Sequence, residues 1–249
     1  MGAKAAMLLV ALLIRQEAEV ESKDLTVGGD KNKRYFLIPP QKDAKPPKAG
    51  FKLAVIMPGG SGTADFHEFV KDIWRSSLTT EYLVAQPVAV KWKDDQVVVW
   101  PTKRNPVPGM KFTTEEFVEA VIRDVAAKHK VDPKFVFTLS WSSSGPAAYA
   151  ISLQEKRLVT GSFISMSVFN DDKLPPLRNA KGQAYYIHHS PTDESCPIDM
   201  ARKARDELKK QGAKVEYQEY EGGHGWPKEP KDRFDQIRTG FQWLEKAAK

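Results

Sequence analysis

Short apolar runs alternate with amphipathic stretches along most of the chain. Five segments are predicted to be strands: residues 53–57, 135–139, 159–169, 183–189 and 214–220. Among them, residues 53–57, 135–139 and 183–189 are short apolar runs. The amphipathic stretches carry apolar residues at helical spacing. The predicted helices are residues 64–76, 113–130, 145–154, 197–211 and 231–248. Strands that alternate with helices predict an α/β fold, in which a mostly parallel central sheet is flanked by helices.

The length and composition of the chain suit one compact domain. The chain has 249 residues, of which 41% are hydrophobic and 28% are charged, enough for a single large core. We expect this domain to cover residues 34–249, after a polar segment at residues 19–33. Only residues 170–182 separate two predicted strands, too few for an inserted helical lid, so we expect no separate cap domain.

The first residues have the pattern of a secretory signal. Lys4 precedes an apolar run at residues 5–14, which is too short to span a bilayer comfortably and matches the apolar region of a signal peptide. Residues 15–18 form a poor cleavage site, however. We expect residues 1–18 to be a signal peptide of a secreted or periplasmic protein with no stable membrane insertion. The alternative is a cytoplasmic chain with an amphipathic or disordered tail.

The run at residues 135–148 reads Phe-Val-Phe-Thr-Leu-Ser-Trp-Ser-Ser-Ser-Gly-Pro-Ala-Ala, an apolar strand that ends in a serine-rich turn and a helix start. This context holds a nucleophilic serine exposed at the edge of a parallel sheet. Strand and helix backbones nearly touch in such a turn, so the residues two positions before and after the nucleophile must be small. If Ser142 is the nucleophile, these residues are Ser140 and Ser144, and both are small. If Ser143 or Ser144 were the nucleophile, Trp141 or Pro146 would occupy one of these positions. The alternative interpretation is a serine-rich helix cap.

A candidate acid and a candidate histidine follow the serine. Asp193 lies just after the predicted strand at 183–189, and His224 lies in a glycine-rich loop after the strand at 214–220. Open α/β sheets place their sites at the carboxyl ends of strands, and a hydrolase triad has this chain order. Asp193 alone would fit a turn, and His224 alone a surface histidine; Glu194 or Asp199 is the alternative acid. Their order and positions together predict the triad Ser142, Asp193 and His224.

A glycine-rich loop follows the strand at 53–57 and reads Pro-Gly-Gly-Ser-Gly over residues 58–62. Such a loop is able to turn its N–H groups toward a nucleophile. We assign the oxyanion hole to the N–H groups of Gly60 and Ser143. The alternative, a phosphate cradle, lacks the Gly-Lys-Ser/Thr ending of a P-loop.

Four motifs together resemble the α/β-hydrolase superfamily. They are the Pro-Gly-Gly loop, the Ser-Trp-Ser-Ser-Ser-Gly-Pro elbow, the Ser-Pro-Thr-Asp-Glu-Ser-Cys-Pro acid loop and the Tyr-Glu-Gly-Gly-His-Gly-Trp loop. Within it the chain is most similar to the phospholipase/carboxylesterase and dienelactone-hydrolase-like group, with polyhydroxybutyrate depolymerase and feruloyl esterase relatives. The resemblance covers residues 34–249. It implies an α/β-hydrolase fold and cleavage of carboxylic esters through an acyl-enzyme intermediate.

The chain departs from the family pattern at two places. Pro58 stands where many relatives have histidine, and Ser140 and Ser144 replace the elbow glycines. We expect the proline to be tolerated and Ser144 to tilt the elbow. A serine peptidase with the same triad, or a hydrolase-fold protein that binds without catalysis, are the alternative functions.

Three tryptophans fall near the predicted active-site loops. Trp100, Trp141 and Trp226 are candidates for lining a substrate pocket, with ordinary core packing as the alternative. The partner we expect is a small-molecule or polymer-borne ester.

Charge and cysteine content restrict the other partners. The net charge is +6, but lysines are spread along the chain without an aromatic-interleaved basic motif, so we expect a solvated basic surface and no nucleic-acid partner. The single cysteine, Cys196, excludes an intrachain disulfide and a multi-cysteine metal site. The adjacent His188 and His189 point to opposite faces of a strand. We therefore expect no metal and no organic cofactor.

Overall fold

The computed structural model describes residues 19–40 and 44–249. The predicted signal peptide at residues 1–18 lies outside the described residues. Within the described part of the chain, no helix is both long enough and apolar enough to cross a membrane.

The described residues form one eight-stranded sheet with the order β1-β2-β4-β3-β5-β6-β7-β8. All pairs among β3 to β8 are parallel, whereas β2 pairs antiparallel with both β1 and β4. The strands are β1 Lys23–Thr26, β2 Arg34–Ile38, β3 Phe51–Met57, β4 Tyr82–Pro87, β5 Val131–Trp141, β6 Gly161–Ser165, β7 Ala184–His189 and β8 Lys214–Glu219.

Five α-helices cover the two faces of this sheet. They are α1 His67–Ser77, α2 Thr114–Lys128, α3 Gly145–Ser152, α4 Ile198–Lys210 and α5 Pro230–Ala247. Side chains alternate along β3, so Leu53 and Val55 face the core under α2, α3 and α4, whereas Ala54 and Ile56 face the core under α1 and α5. The parallel strands are therefore buried on both faces, which explains their almost continuous apolar runs.

The predicted α/β architecture is confirmed, and each predicted strand and helix has a counterpart. The first predicted helix begins as a 3-10 turn at Ala64–Phe66 before α1. Three strands were not predicted: β1, β2 and β4. β1 lies inside the polar segment at residues 19–33, so the sheet begins ahead of the expected domain start.

The connections over the carboxyl edge of the sheet differ in length. Between β6 and β7 there are only two 3-10 turns, Asp171–Lys173 and Leu177–Ala180, which confirms the expected lack of a cap domain in this fully described segment. The longest irregular segment lies between β4 and α2. Its Trp100 is buried and donates a hydrogen bond from Nε1 to the Pro58 carbonyl (3.0 Å), which ties this segment to the loop after β3.

Candidate active site

Ser142 lies in a sharp turn directly after β5. Its φ angle is +54°, in the left-handed region that non-glycine residues rarely adopt. β5 ends at Trp141 and α3 begins at Gly145, so the chain reverses over three serines. Backbone strain of this kind is typical of a serine held exposed at a strand-to-helix turn.

The hydroxyl of Ser144 is built into this turn. It donates to the Met57 carbonyl (2.7 Å) and lies 3.0 Å from the Trp141 carbonyl, and it accepts a hydrogen bond from the Trp141 N–H (3.0 Å). Ser144 is fully buried. The serine that replaces an elbow glycine therefore joins β5 to the end of β3. A tilt of the elbow caused by Ser144 stays a prediction.

Two glycines beside the elbow have no room for a Cβ, and neither stands at the elbow positions where the family pattern has glycine. A Cβ on Gly145 would lie 2.0 Å from Ser167 Oγ, and a Cβ on Gly59 would lie 2.5 Å from the Trp141 carbonyl oxygen. Ser167 fills the space beside Gly145 and donates a hydrogen bond to the Ser142 carbonyl (2.7 Å). Beside the elbow, a side chain on Gly59 or on Gly145 would therefore force neighbouring atoms to shift.

His224 approaches Ser142 from the loop after β8. Its Nε2 lies 2.9 Å from Ser142 Oγ, and its Nδ1 lies 2.9 Å and 3.0 Å from the two carboxylate oxygens of Asp193. The carboxylate accepts only, so the imidazole proton belongs on Nδ1 and Nε2 accepts from the serine hydroxyl. The structure thus brings together the three residues of the predicted triad in one chain of hydrogen bonds.

Asp193 is held by the loop that follows β7. Its carboxylate is fully buried, and Oδ1 accepts hydrogen bonds from the N–H groups of Ser195 (2.9 Å) and Cys196 (2.8 Å). His189, also buried, donates from Nε2 to the Cys196 carbonyl (2.8 Å) and lies 3.4 Å from Asp193 Oδ2. These contacts fix the direction in which the carboxylate faces His224. The structure does not use the alternative acids, Glu194 and Asp199, in this chain of hydrogen bonds.

A second buried histidine lies beneath the His224 loop. His188 stacks on Tyr220 with ring centroids 4.0 Å apart, and its two nitrogens pair with Ser165 Oγ (2.9 Å) and Gln236 Oε1 (2.7 Å). Burial lowers the pKa of His188 to about 3, so the ring is neutral. The Tyr220 hydroxyl donates to the Gly225 carbonyl (2.7 Å), beside His224. The sequence predicts that His188 and His189 lie on opposite faces of the strand. It does not predict that His188 and Tyr220 support the loop of His224.

The two residues assigned to the oxyanion hole are neighbours in space. Ser143 Oγ donates a hydrogen bond to the Gly60 carbonyl (2.8 Å), and Gly60 has a φ of +56°. The loop after β3 therefore needs glycine here, and it is tied directly to the residue after Ser142. The role of their N–H groups stays a prediction.

The predicted pocket tryptophans differ in exposure. Trp100 and Trp141 are 3% and 6% exposed, and Trp226 is half-buried. Trp141 packs edge-on against Phe69 and Trp226, with ring centroids 5.8 Å and 5.9 Å away. The two buried tryptophans support the loops of the site, and a contact with substrate stays a prediction for all three.

Cys196 is buried beside the triad. Burial raises the pKa of its thiol to about 11, and the charge of Asp193 acts in the same direction. The thiol is therefore protonated at neutral pH and is a poor nucleophile.

Comparisons with known proteins identify the fold. No family model and no curated protein matches the chain. Among solved structures, a thermostable esterase is 21% identical with a TM-score of 0.59 over 85% of this chain, and this chain spans 58% of that esterase's length. The Bacillus cereus carboxylesterase is 12% identical with a TM-score of 0.62, covering 86% of this chain and 93% of that one.

A thermophilic esterase from the Planctomycetes species Thermogutta terrifontis is 14% identical with a TM-score of 0.66, covering 90% of this chain and 91% of that one. An α/β hydrolase from a deep-sea metagenome also matches, at 13% identity with a TM-score of 0.62 over 92% of this chain and 98% of that one. The chain therefore has the α/β-hydrolase fold, as its motifs indicate.

Proposed function

We propose that this chain with the α/β-hydrolase fold is a serine hydrolase that cleaves carboxylic esters through an acyl-enzyme intermediate. One observation carries the proposal: Ser142 Oγ, both ring nitrogens of His224 and the buried carboxylate of Asp193 form an unbroken chain with steps of 2.9 to 3.0 Å. This is the geometry in which an imidazole activates a serine hydroxyl.

In the first half of the reaction, His224 Nε2 takes the proton of Ser142 as Oγ attacks the ester carbonyl. Asp193 accepts the Nδ1–H bond and stabilises the imidazolium that forms. The protonated Nε2 then gives its proton to the departing alcohol. In the second half, water attacks the acyl group on Ser142 with His224 again as the base, and the acid leaves.

The developing negative charge on the carbonyl oxygen needs hydrogen-bond donors. We assign this task to the N–H groups of Gly60 and Ser143, because the Ser143 hydroxyl donates to the Gly60 carbonyl (2.8 Å) and so ties the two backbone segments together. Donors of this kind contribute several kcal/mol to the transition state, typically about 3 to 4 for one side-chain donor.

The substrate we propose is a small-molecule or polymer-borne ester. The short β6–β7 connection leaves the site without a lid from that segment, which suits soluble or bulky esters. The names of the similar structures are those of esterases and carboxylesterases, which supports ester over peptide cleavage. Export, argued from the apolar run at residues 5–14, stays part of the proposal.

Hydrolysis of a short-chain p-nitrophenyl ester tests the activity. We expect the wild-type protein to turn over, Ser142→Ala to fall to background, and Ser76→Ala on α1 to match the wild type. A peptide substrate panel, run alongside, separates an esterase from a serine peptidase. An inactive wild type that still binds esters would favour the alternative of a non-catalytic binding protein.

A further inference from the structure

A thiol lies beside the imidazole and the carboxylate of the proposed triad. The Sγ atom of Cys196, a carboxylate oxygen of Asp193 and a ring nitrogen of His224 all lie within 4.8 Å of one another. Cys196 and Asp193 are buried, whereas the His224 side chain is 30% exposed and opens this group to solvent. The proposed ester hydrolysis uses the imidazole and the carboxylate but gives the thiol no task.

We propose that Cys196, Asp193 and His224 bind a divalent cation of the Zn²⁺ type, and that the bound ion switches the hydrolase off. The inhibition rests on the proposed function, whereas the binding does not. The site would act as an inhibitory metal site built around the triad.

The donor set selects the class of ion. Thiolate sulfur, imidazole nitrogen and a carboxylate oxygen are ligands of Zn²⁺ and chemically related ions, whereas Ca²⁺ and Mg²⁺ prefer oxygen ligands only. A tetrahedral site with Zn–S bonds of about 2.3 Å and Zn–N bonds of about 2.0 Å needs donors roughly 3.5 Å apart. The Cys196 sulfur, at most 4.8 Å from the other two donors, must therefore approach them by up to about 1.3 Å. His224 Nδ1 and the Asp193 oxygens, 2.9 Å and 3.0 Å apart, must instead separate by a few tenths of an ångström. Water completes the coordination on the exposed side of His224.

The acid loop presets two of the three ligands. The Cys196 N–H donates to Asp193 Oδ1 (2.8 Å), and the Cys196 carbonyl accepts from His189 Nε2 (2.8 Å). The cysteine backbone is thus fixed relative to the carboxylate. Rotation of the Cys196 side chain then brings its sulfur toward the other two donors. His224 lies between Gly223 and Gly225, which allow its loop a wider range of backbone angles.

Proton transfer explains why the bound ion stops catalysis. The Cys196 thiol releases its proton to solvent and becomes the thiolate ligand. His224 Nδ1, which faces Asp193, uses its lone pair for the ion, so the imidazole proton moves to Nε2 and the ring stays neutral. Nε2 then carries hydrogen toward Ser142 Oγ and is unable to accept the serine proton. Metal binding and ester hydrolysis therefore exclude each other.

Cobalt titration measures binding without any use of activity. A cobalt–thiolate complex has a charge-transfer band in the near ultraviolet, and the chain has one cysteine, so the band reports Cys196 alone. We expect a saturable 1:1 band in the wild-type protein and binding at least tenfold weaker in Asp193→Asn and in His224→Gln. His129→Gln, which removes a histidine of another loop, should bind as the wild type does. A band that is absent from the wild type, or indifferent to Asp193→Asn and His224→Gln, overturns the proposal.

Inhibition by Zn²⁺ gives the second test. Each protein is compared with its own activity in the presence of a chelator, and we expect Cys196→Ala to need at least tenfold more Zn²⁺ for half inhibition than the wild type. Equal sensitivity of the two proteins would overturn the inhibitory role. If no ester is hydrolysed at all, the proposed function fails, and the cobalt band still decides whether the site binds metal.

Discussion

At Ser144, the hydroxyl that replaces an elbow glycine contacts the Met57 carbonyl and both backbone polar groups of Trp141. We predict that Ser144→Gly and Ser144→Ala each lower the free energy of unfolding by about 1 to 3 kcal/mol, since buried backbone groups lose their partner. Urea denaturation measures the change. Ser61→Ala serves as the control, because the Ser61 hydroxyl is exposed and pairs with the Thr63 hydroxyl (3.0 Å). A Ser144→Gly protein as stable as the wild type would contradict this prediction.

The sequence predicts the triad residues because each follows a recognisable strand and belongs to a local motif. It does not predict which glycines are indispensable. The space at Gly145 is filled by Ser167, which comes from the loop after β6, and the space at Gly59 is filled by the Trp141 backbone. Such contacts join segments far apart in the chain, so a local spacing rule locates them incorrectly.

At the scale of elements, the His224 loop is held to the end of β8 by the Tyr220 hydroxyl, which donates to the Gly225 carbonyl. We predict that Tyr220→Phe lowers kcat about fivefold with little change in KM, because the lost hydrogen bond is worth about 1 kcal/mol and leaves His224 less well positioned. The ring that stacks on His188 is retained.

Steady-state kinetics on a p-nitrophenyl ester measures this effect. Tyr217→Phe is the matched control, since Tyr217 lies on β8 and its hydroxyl donates to Glu219 (2.8 Å), away from the loop. Equal losses in the two variants would mean that Tyr220 has no special part in positioning His224.

The three missed strands differ from one another in burial. β1 has exposed or half-buried residues throughout and joins the sheet through backbone pairing with β2, so its sequence carries no apolar pattern. β2 begins with the half-buried Arg34 and lies between β1 and β4 in the antiparallel part of the sheet. β4 is fully buried and has an apolar run, so its sequence contained the signal of a strand. Pairing with a neighbouring strand, more than the preference of the local sequence, decides whether a segment such as β1 forms a strand.

At the scale of the whole molecule, the buried neutral His188 links stability to pH. Its pKa is about 3 in the folded protein, against an ordinary value of 6.5. Below pH 6.5 the unfolded chain therefore binds a proton that the folded protein does not. The stabilisation is fully present above pH 6.5 and is lost as the pH falls toward 3.

We predict that the free energy of unfolding of the wild type falls more steeply between pH 6 and pH 4 than that of His188→Gln, by about 1 kcal/mol per pH unit. Denaturation at several pH values measures both slopes. A lower stability of His188→Gln at every pH does not affect this test, because only the slopes against pH are compared. Parallel slopes would contradict a buried, neutral His188.

Covalent labelling with a fluorophosphonate tests the central claim most directly, because the reagent reacts with an activated serine whatever the natural ester is. Mass spectrometry of the digested protein identifies the labelled residue. We predict one phosphonyl group per chain, on Ser142, and a labelling rate at least about a hundredfold lower in His224→Gln, which lacks the general base. A label on another residue, or a labelling rate that does not depend on His224, would contradict the account.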